Sequence, residues 1–257
     1  MAIRQVIKVT MPMKERLMQT DIGELVEDIC GIKILSMEKV FSRRNEVYLL
    51  QGLNTGDKRV KYVLKLNRRA SVAPEVSILK QLSAAGLRVP SVVWSDEHTI
   101  LMEYSAGILL ADMMYREELI RQNDWVEALT AWLYQLHTVR PQGEQGLCFP
   151  DLNLRNFIFT GSDIVGLDFE ATVWDRPERD LGGLSAFIIN SDPMFTAAKY
   201  DAIRRLVNSY ARRRPIDLEK VREYFILEMR SAAQRRVNQQ EILLAKIRDW
   251  QDMSLFN

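Results

Sequence analysis

The chain has 257 residues, of which 47% are hydrophobic and 27% charged, the composition of an ordinary globular protein. This length can hold one large or two moderate domains with cores of their own. The net charge of +1 gives no general attraction to nucleic acid or to membrane surfaces, so neither is expected as a partner. No apolar run reaches the roughly 18 residues of a membrane-spanning helix, and residues 1–8 lack the apolar stretch of a signal peptide.

The first third of the chain is predicted to mix helix and strand. Residues 20–31 predict a helix that Thr20 or Asp21 caps and Gly31 ends. Pro74 begins a second helix that runs to about Ala85. Four segments with short or alternating apolar patterns predict strands: residues 40–50, 61–66, 92–94 and 99–104.

Beyond Gly107 the apolar period becomes helical, which predicts a boundary between residues 1–105 and residues 106–257. Residues 122–137 carry a continuous apolar stripe and predict an amphipathic helix. His137 ends this stripe, which favours a core or capping histidine over a catalytic base. Further helices are predicted near residues 179–190, 195–213, 217–235 and 237–250.

The segment with the most specific pattern is residues 149–170. Asp151 lies five residues before Asn156, and two short apolar strands then lead to Asp168. Antiparallel neighbours lie about 5 Å apart, so a hairpin of these strands would bring Asn156 and Asp168 together. Phosphoryl transfer needs a carboxylate at the acceptor hydroxyl, and an amide and a second carboxylate on the metal ions. The pattern predicts Asp151 as the catalytic base and Asn156 and Asp168 as Mg²⁺ ligands.

A lysine with apolar neighbours lies on the strand of residues 61–66. Lys65 should be buried there only if its ammonium pairs with an acid, and Glu75 in the next helix is the natural partner. Such a pair would hold the nucleotide α- and β-phosphates. The alternative is an outward-pointing Lys65 and a Glu75 that only favours its helix N-terminus.

Together these motifs resemble the aminoglycoside phosphotransferase family, the branch of the protein kinase-like fold that also holds choline kinases. The resemblance covers roughly residues 20–215. The resemblance rests on five segments. Residues 74–90 are similar to the family's glutamate helix and the turn after it, and residues 100–107 to its gate and hinge. Residues 133–137 are similar to its LxxLH helix end, residues 167–170 to its metal-binding DFE motif, and residues 174–181 to its GDPxxDL segment.

The resemblance implies a two-lobed α+β fold, with a small antiparallel sheet in the first lobe and a mainly helical second lobe. It implies ATP or GTP with Mg²⁺ as cofactors and a small-molecule hydroxyl acceptor as the partner. Asp180 would be a buried acid that braces the catalytic loop through Arg155 or backbone N–H groups. The implied nucleotide contacts are Met102, Glu103, Tyr104 and Ser105 at the hinge, and Arg43 and Asn45 in the phosphate-covering loop.

The sequence departs from the family at two loops. The usual His-Gly-Asp is Phe149-Pro150-Asp151, where an aromatic ring can replace the packing role of the histidine. The phosphate-covering loop of residues 41–46 has no glycine, so its backbone N–H groups can hold phosphate only if other residues tolerate the turn. Arg43 and Arg44 either add charge there or are solvated turn residues. These departures leave a pseudokinase scaffold as an alternative function.

The charge of the C-terminal half bears on the class of substrate. From Leu181 onward the chain has nine acidic and thirteen basic residues, whereas a polycationic aminoglycoside needs an acidic pocket. We therefore expect a neutral or anionic acceptor, although a solvated helix face would also explain the arginines. A protein substrate is disfavoured because little chain between Asp168 and Asp180 remains for an activation segment. Cys30 and Cys148 form no CxxC pair, which predicts free thiols and a cytoplasmic location without a zinc site.

Overall fold

The structure, a computed structural model, describes residues 23–40, 42, 45–122, 124–149, 151–170 and 172–251. The predicted helix caps Thr20 and Asp21 lie outside these residues. The chain forms two compact units. The first extends to Val72 and includes Val92–Tyr104, and the second comprises Ala73–Ser91 and the chain from Ser105 onward.

The first unit is built on a five-stranded sheet with the order β1-β2-β3-β5-β4, in which all neighbours are antiparallel. Its strands are β1 (Ile32–Val40), β2 (Glu46–Asn54), β3 (Arg59–Leu66), β4 (Val92–Ser95) and β5 (Thr99–Glu103). A helix at residues 23–30 (α1) precedes the sheet, and its Val26 packs in one apolar cluster with Leu50, Leu64 and Leu101. The apolar face of this sheet therefore forms the core of the unit.

Strand β1 was missed, whereas the strand predicted at residues 40–50 is present but lies further along the chain, as β2 (Glu46–Asn54). Ile32–Val40 is an edge strand, and only Ile32 in it is buried. An edge strand that is mostly exposed carries little apolar alternation, so the sequence gives a weak signal there. The second strand begins only at Glu46.

The second unit is mainly helical. Its helices are α2 (Ala73–Ala84), α3 (Leu110–Met113), α4 (Glu117–Ile120), α5 (Asp124–Thr138), α6 (Pro177–Asn190), α7 (Ala197–Arg213), α8 (Leu218–Arg235) and α9 (Gln240–Gln251). Its short strands are β6 (Ile108–Leu109), β7 (Gly146–Cys148), β8 (Phe157–Phe159), β9 (Ile164–Gly166) and β10 (Val173–Asp175). The helices predicted from the apolar period are confirmed to within three residues at each end. Among the described residues, no helix is long and apolar enough to span a bilayer.

The segment Ala73–Ser91 is grouped with the second unit, whereas the predicted division at residue 105 placed it with the first. Two hydrogen bonds explain the grouping. The carbonyl of Arg88 accepts from Trp132 Nε1 at 2.8 Å and from the backbone N–H of Gly166 at 3.3 Å. Helix α2 and its Glu75 therefore belong to the same unit as the catalytic loop.

Helix α6 packs closely on both of its sides because it contains two adjacent glycines. A Cβ atom on Gly182 would lie 2.4 Å from the carbonyl oxygen of Val221 in α8. A Cβ atom on Gly183 would lie 2.3 Å from Leu152 Cδ1, in the predicted catalytic loop. The glycine pair thus lets α6 support the loop directly.

Candidate active site

The predicted catalytic loop is closed by its own hydrogen bonds. Asn156 Nδ2 donates to the carbonyl oxygen of Asp151 at 3.0 Å, and Asp151 Oδ1 accepts from the N–H of Asn153 at 3.2 Å. Asn153 caps a short 3₁₀ turn at Leu154–Asn156 by accepting from the N–H of Arg155. The carboxylate of Asp151 is exposed. The loop therefore presents this carboxylate to solvent in a fixed relation to Asn156.

Asn156 and Asp168 lie at the same end of a hairpin, as predicted. Strands β8 and β9 are antiparallel, with Phe157 opposite Gly166, and the N–H of Leu167 donates to the carbonyl of Asn156 at 2.8 Å. A Cβ atom on Gly166 would lie 2.2 Å from the Trp132 ring, so only glycine allows this close approach. The prediction that the hairpin brings the two metal-ligand candidates together is confirmed in its geometry, and their roles stay predictions.

Three carboxylates meet next to this hairpin. Each of Glu75, Asp168 and Glu170 has an oxygen within 4.8 Å of an oxygen of the others; Glu75 is buried, Glu170 half-buried and Asp168 exposed. Like charges at this distance repel one another unless a cation lies between them. Oxygen ligands are those that Mg²⁺ prefers, so the residues fit a divalent cation. Asp168 also has a φ of +63°, a strained conformation of the kind that concentrates at functional sites.

Glu170 was not predicted as a site residue. Its signal was present, because Glu170 is the last residue of the DFE motif that identified Asp168. Glu75 was predicted as a lysine partner only. The structure places it in the first turn of α2, where it is buried, and brings its carboxylate next to Asp168 and Glu170.

Phe149, which replaces the family's histidine, lies in a cluster of four aromatic rings. It is fully buried, and its ring centroid lies 4.7 Å from that of Phe169, 5.4 Å from that of Phe157 and 5.7 Å from that of Trp132. Phe169 directly follows Asp168 in the chain. Stacked and edge-to-face rings at such distances are favourable contacts. The ring therefore packs against the predicted metal-binding segment, as the replacement of the histidine required. Pro150 lies outside the described residues.

Asp180 braces the catalytic loop, as the resemblance implied. Its Oδ2 accepts from the backbone N–H of Phe149 at 2.9 Å and lies 3.1 Å from His137 Nε2. All three residues are fully buried. The prediction of a structural rather than catalytic His137 agrees with this burial, and the brace uses a backbone N–H rather than Arg155.

Cys148 completes a buried group with His137 and Asp180, whose potential ligand atoms lie within 4.8 Å of one another. The Cys148 thiol donates to the carbonyls of Asp175 and Arg176 at 3.5 Å. Burial raises the pKa of this thiol far above its usual value, so at neutral pH it is protonated and acts as the hydrogen-bond donor. These hydrogen bonds explain the group as part of the buried core, and the expected absence of a zinc site stays a prediction.

Lys65 lies in β3, in the first unit, and is buried with only 6% of its surface exposed. The alternative of an outward-pointing lysine is therefore wrong. Glu75 lies in the second unit, so the pairing of Lys65 with Glu75 stays a prediction.

The predicted hinge residues follow the end of β5. Met102 is buried opposite Val63 in the sheet, whereas Glu103 and Tyr104 are exposed and Ser105 is half-buried. The N–H of Tyr104 donates to the carbonyl of Lys61 at 3.2 Å, so this group is already bonded within the sheet. Asn45 precedes β2, and its N–H donates to Ser42 Oγ at 3.3 Å. Arg43 lies outside the described residues, and the nucleotide roles of all these residues stay predictions.

Five arginines of the basic excess after Leu181, at positions 212–214, 235 and 236, are engaged with neighbouring groups. Arg212 and Arg213 approach Glu127 at 3.2 Å and 3.8 Å, and Arg235 pairs with Glu228 at 2.6 Å. Arg214 donates to the carbonyl of Glu144, and Arg236 to that of Asn190. These contacts favour the interpretation of a helix surface over that of an anion-binding pocket.

Comparison with known proteins agrees with this geometry. Residues 41–144 match the model of the phosphotransferase enzyme family. A search of curated proteins found no match. Three solved structures illustrate the fold. APH(2")-IIa in complex with gentamicin is 13% identical with a TM-score of 0.62, over 96% of this chain and 98% of that one. Choline kinase LicA from Streptococcus pneumoniae is 16% identical with a TM-score of 0.58, over 91% of this chain and 100% of that one. The amicoumacin kinase hAmiN, in complex with AMP-PNP and Ca²⁺, is 15% identical with a TM-score of 0.57, over 93% and 95%.

The family match covers the first-unit strands β2 to β5, helix α2 and the helix that precedes the catalytic loop. The solved structures extend the likeness over nearly the whole chain at the level of the fold. The predicted α+β, protein kinase-like fold is thus confirmed, and so is the resemblance of this chain to the aminoglycoside phosphotransferase and choline kinase family.

Proposed function

We propose that this protein is a Mg²⁺-dependent kinase that transfers the γ-phosphate of ATP or GTP to a hydroxyl group of a small molecule. The family match and the kinase neighbours support a small-molecule phosphotransferase in general terms. The observation that carries the proposal is the arrangement around the β8–β9 hairpin. An exposed Asp151, the amide of Asn156 and the carboxylates of Asp168 and Glu170 are held on adjacent backbone segments of one unit.

Each residue has a distinct role in the proposed reaction. Asp151 accepts the proton of the acceptor hydroxyl, because its carboxylate is exposed while the loop behind it is fixed. Asn156, Asp168 and Glu170 would hold the divalent cation, which when bound supplies positive charge to the phosphate oxygens. Lys65 would bind the nucleotide phosphates, and the hinge at residues 102–105 the base.

Transfer is proposed to be direct, from nucleotide to acceptor. Of the two histidines, His137 is fully buried in the hydrogen-bonded core, and His98 follows β4 at the surface of the first unit. The Cys148 thiol is buried and protonated, so it cannot act as a nucleophile. Catalysis then rests on positioning and electrostatic stabilisation rather than on a phosphoenzyme.

The acceptor is proposed to be neutral or anionic. The excess of basic over acidic residues after Leu181 supports this only as an overall charge that opposes a polycation, since its arginines at positions 212–214, 235 and 236 are engaged with neighbouring groups. Arg155 adds to this support, because it is exposed and lies between Asp151 and Asn156 in the catalytic loop. No partner from nucleic acid or membrane is proposed, and the two free cysteines favour a cytoplasmic location.

A pseudokinase scaffold is the second candidate, and it is favoured by the replacement of the usual His-Gly by Phe149-Pro150. The burial of Phe149 among aromatic rings weakens that argument, because the loop remains packed and braced without the histidine. A protein kinase is less favoured, since β10 and the start of α6 occupy the short path from Asp168 to Asp180.

A hydroxyl-metabolite panel in a nucleotide-consumption assay tests the proposal. The panel contains neutral sugars, sugar phosphates, amino alcohols and aminoglycosides, each with ATP or GTP and Mg²⁺. We expect consumption with at least one neutral or anionic acceptor, and none of it with Asp168→Asn. Consumption with aminoglycosides alone would contradict the proposed acceptor class, and nucleotide binding without any consumption would favour the pseudokinase.

A further inference from the structure

Three helices of the second unit meet at one buried chain of polar groups. Tyr210 in α7 has its hydroxyl 2.7 Å from His137 Nδ1 in α5. His137 Nε2 lies 3.1 Å from Asp180 Oδ2 in α6, and the same oxygen accepts from the N–H of Phe149 at 2.9 Å. All four residues are fully buried.

The direction of the donors follows from the chemistry of the groups. A carboxylate oxygen only accepts, so His137 Nε2 must carry a hydrogen to bond Asp180. In a neutral imidazole, Nδ1 is then an acceptor and needs a donor. Tyr210 is that donor, and burial raises the pKa of its phenol, which keeps the hydroxyl protonated.

We propose that Tyr210 is a positioning residue for the catalytic loop. Its hydroxyl holds His137 in the tautomer with hydrogen on Nε2. That hydrogen and the N–H of Phe149 together fix Asp180 Oδ2. Phe149 lies two residues before Asp151 in the chain, so this bond anchors the catalytic loop. A rotated or Nδ1–H imidazole would leave Asp180 with one donor fewer, and the loop would lose part of its anchor. The effect on turnover rests on the function proposed above, whereas the effect on the tautomer and on the loop does not.

The chain offers a clean spectroscopic test because it has two histidines in total. In ¹⁵N-labelled protein at neutral pH, His137 should show a protonated Nε2 and an acceptor-type Nδ1. Tyr210→Phe removes one oxygen atom and keeps the ring. It should shift the Nδ1 signal of His137 and speed hydrogen exchange of the Phe149 amide at least about tenfold, as expected for a buried hydrogen bond lost.

Tyr134→Phe is the matched control. Its ring lies 6.3 Å from that of Tyr210 but is not bonded to His137 in the network described, so both signals should stay as in the wild type. In the nucleotide-consumption assay, Tyr210→Phe should lower kcat about tenfold with the nucleotide KM unchanged, while Tyr134→Phe should be close to wild type.

Three results would overturn the proposal. These are an Nδ1–H tautomer in the wild type, unchanged His137 and Phe149 signals in Tyr210→Phe, or a shifted His137 signal with unchanged kcat and amide exchange. An inactive wild type with the expected signals would instead refute the proposed function and leave the Tyr210 brace standing.

Discussion

Phe149→Ala removes the ring that packs between the proposed catalytic loop and the proposed metal-binding segment. A buried Phe→Ala substitution typically costs about 3–5 kcal/mol. Phe149 is fully buried and has three aromatic neighbours, so we expect the upper part of this range. For a chain of this size a loss of about 4–5 kcal/mol lowers Tm by about 8–20 °C. Thermal denaturation measures this shift.

The same substitution should also weaken the site. Phe169 loses its nearest ring neighbour and directly follows Asp168, so the cavity should loosen the Asp168 carboxylate. We expect a smaller Tm increase on adding nucleotide and Mg²⁺ than in the wild type. Phe225→Ala is the matched control, because Phe225 is equally buried but packs against Trp250 in α9. It should lose similar stability and keep the full ligand-induced shift.

Two outcomes would refute this reasoning. A loss below about 1 kcal/mol, the average cost of any single substitution, would mean that Phe149 is not packed as described. Equal ligand-induced shifts in Phe149→Ala and Phe225→Ala would mean that the aromatic cluster does not position the metal-binding segment.

Three further predictions concern ligands and protons. ATP or GTP with Mg²⁺, at a hundredfold excess over Kd, should stabilise the wild type by about 2.7 kcal/mol in a thermal-shift assay, and the absence of any shift would count against the nucleotide site. Asp168→Asn should abolish metal-dependent turnover with the fold intact, and full activity of this variant would disprove the metal assignment. Glu170→Gln should raise the Mg²⁺ concentration that gives half-maximal activity. Cys148 should resist iodoacetamide at pH 8 until the protein unfolds, because burial raises the pKa of its thiol. Above the ordinary thiol pKa of about 8.5 the unfolded chain loses this proton first, so stability should fall as pH rises, and Cys148→Ala should reduce that slope.

Helices and the catalytic loop could be predicted because their signals are local. The apolar stripe of residues 122–137 has the period of a helix, and α5 is observed at Asp124–Thr138. The loop from Asp151 to Asn156 and the following hairpin combine a motif with two apolar strands, and the structure contains both. The C-terminal helices could be predicted in the same way, since each has one buried face and therefore an apolar stripe with the helical period.

The missed features depend on contacts between distant segments. Glu75 and Glu170 are separated by almost a hundred residues, and only the packing of α2 in the second unit brings their carboxylates together. The proposed role of Tyr210 could not be predicted from the sequence, because a single tyrosine in an apolar helix stripe predicts only a buried core residue. From the sequence, the arginines after Leu181 were interpreted only as an excess of positive charge. Their partners Glu127 and Glu228 could be identified only from the fold.

The central claim is that Asp151 acts as the base of an active phosphotransferase, and Asp151→Asn tests it most directly. The measurement is the slow hydrolysis of ATP by purified wild type and variant, with contaminating ATPase excluded, together with their nucleotide affinities. We predict a kcat lower by a factor on the order of 10² to 10⁴ with nearly unchanged nucleotide affinity, because Asp151 is proposed to contact the acceptor rather than the phosphates. Equal hydrolysis by the two proteins would contradict the claim and favour a scaffold.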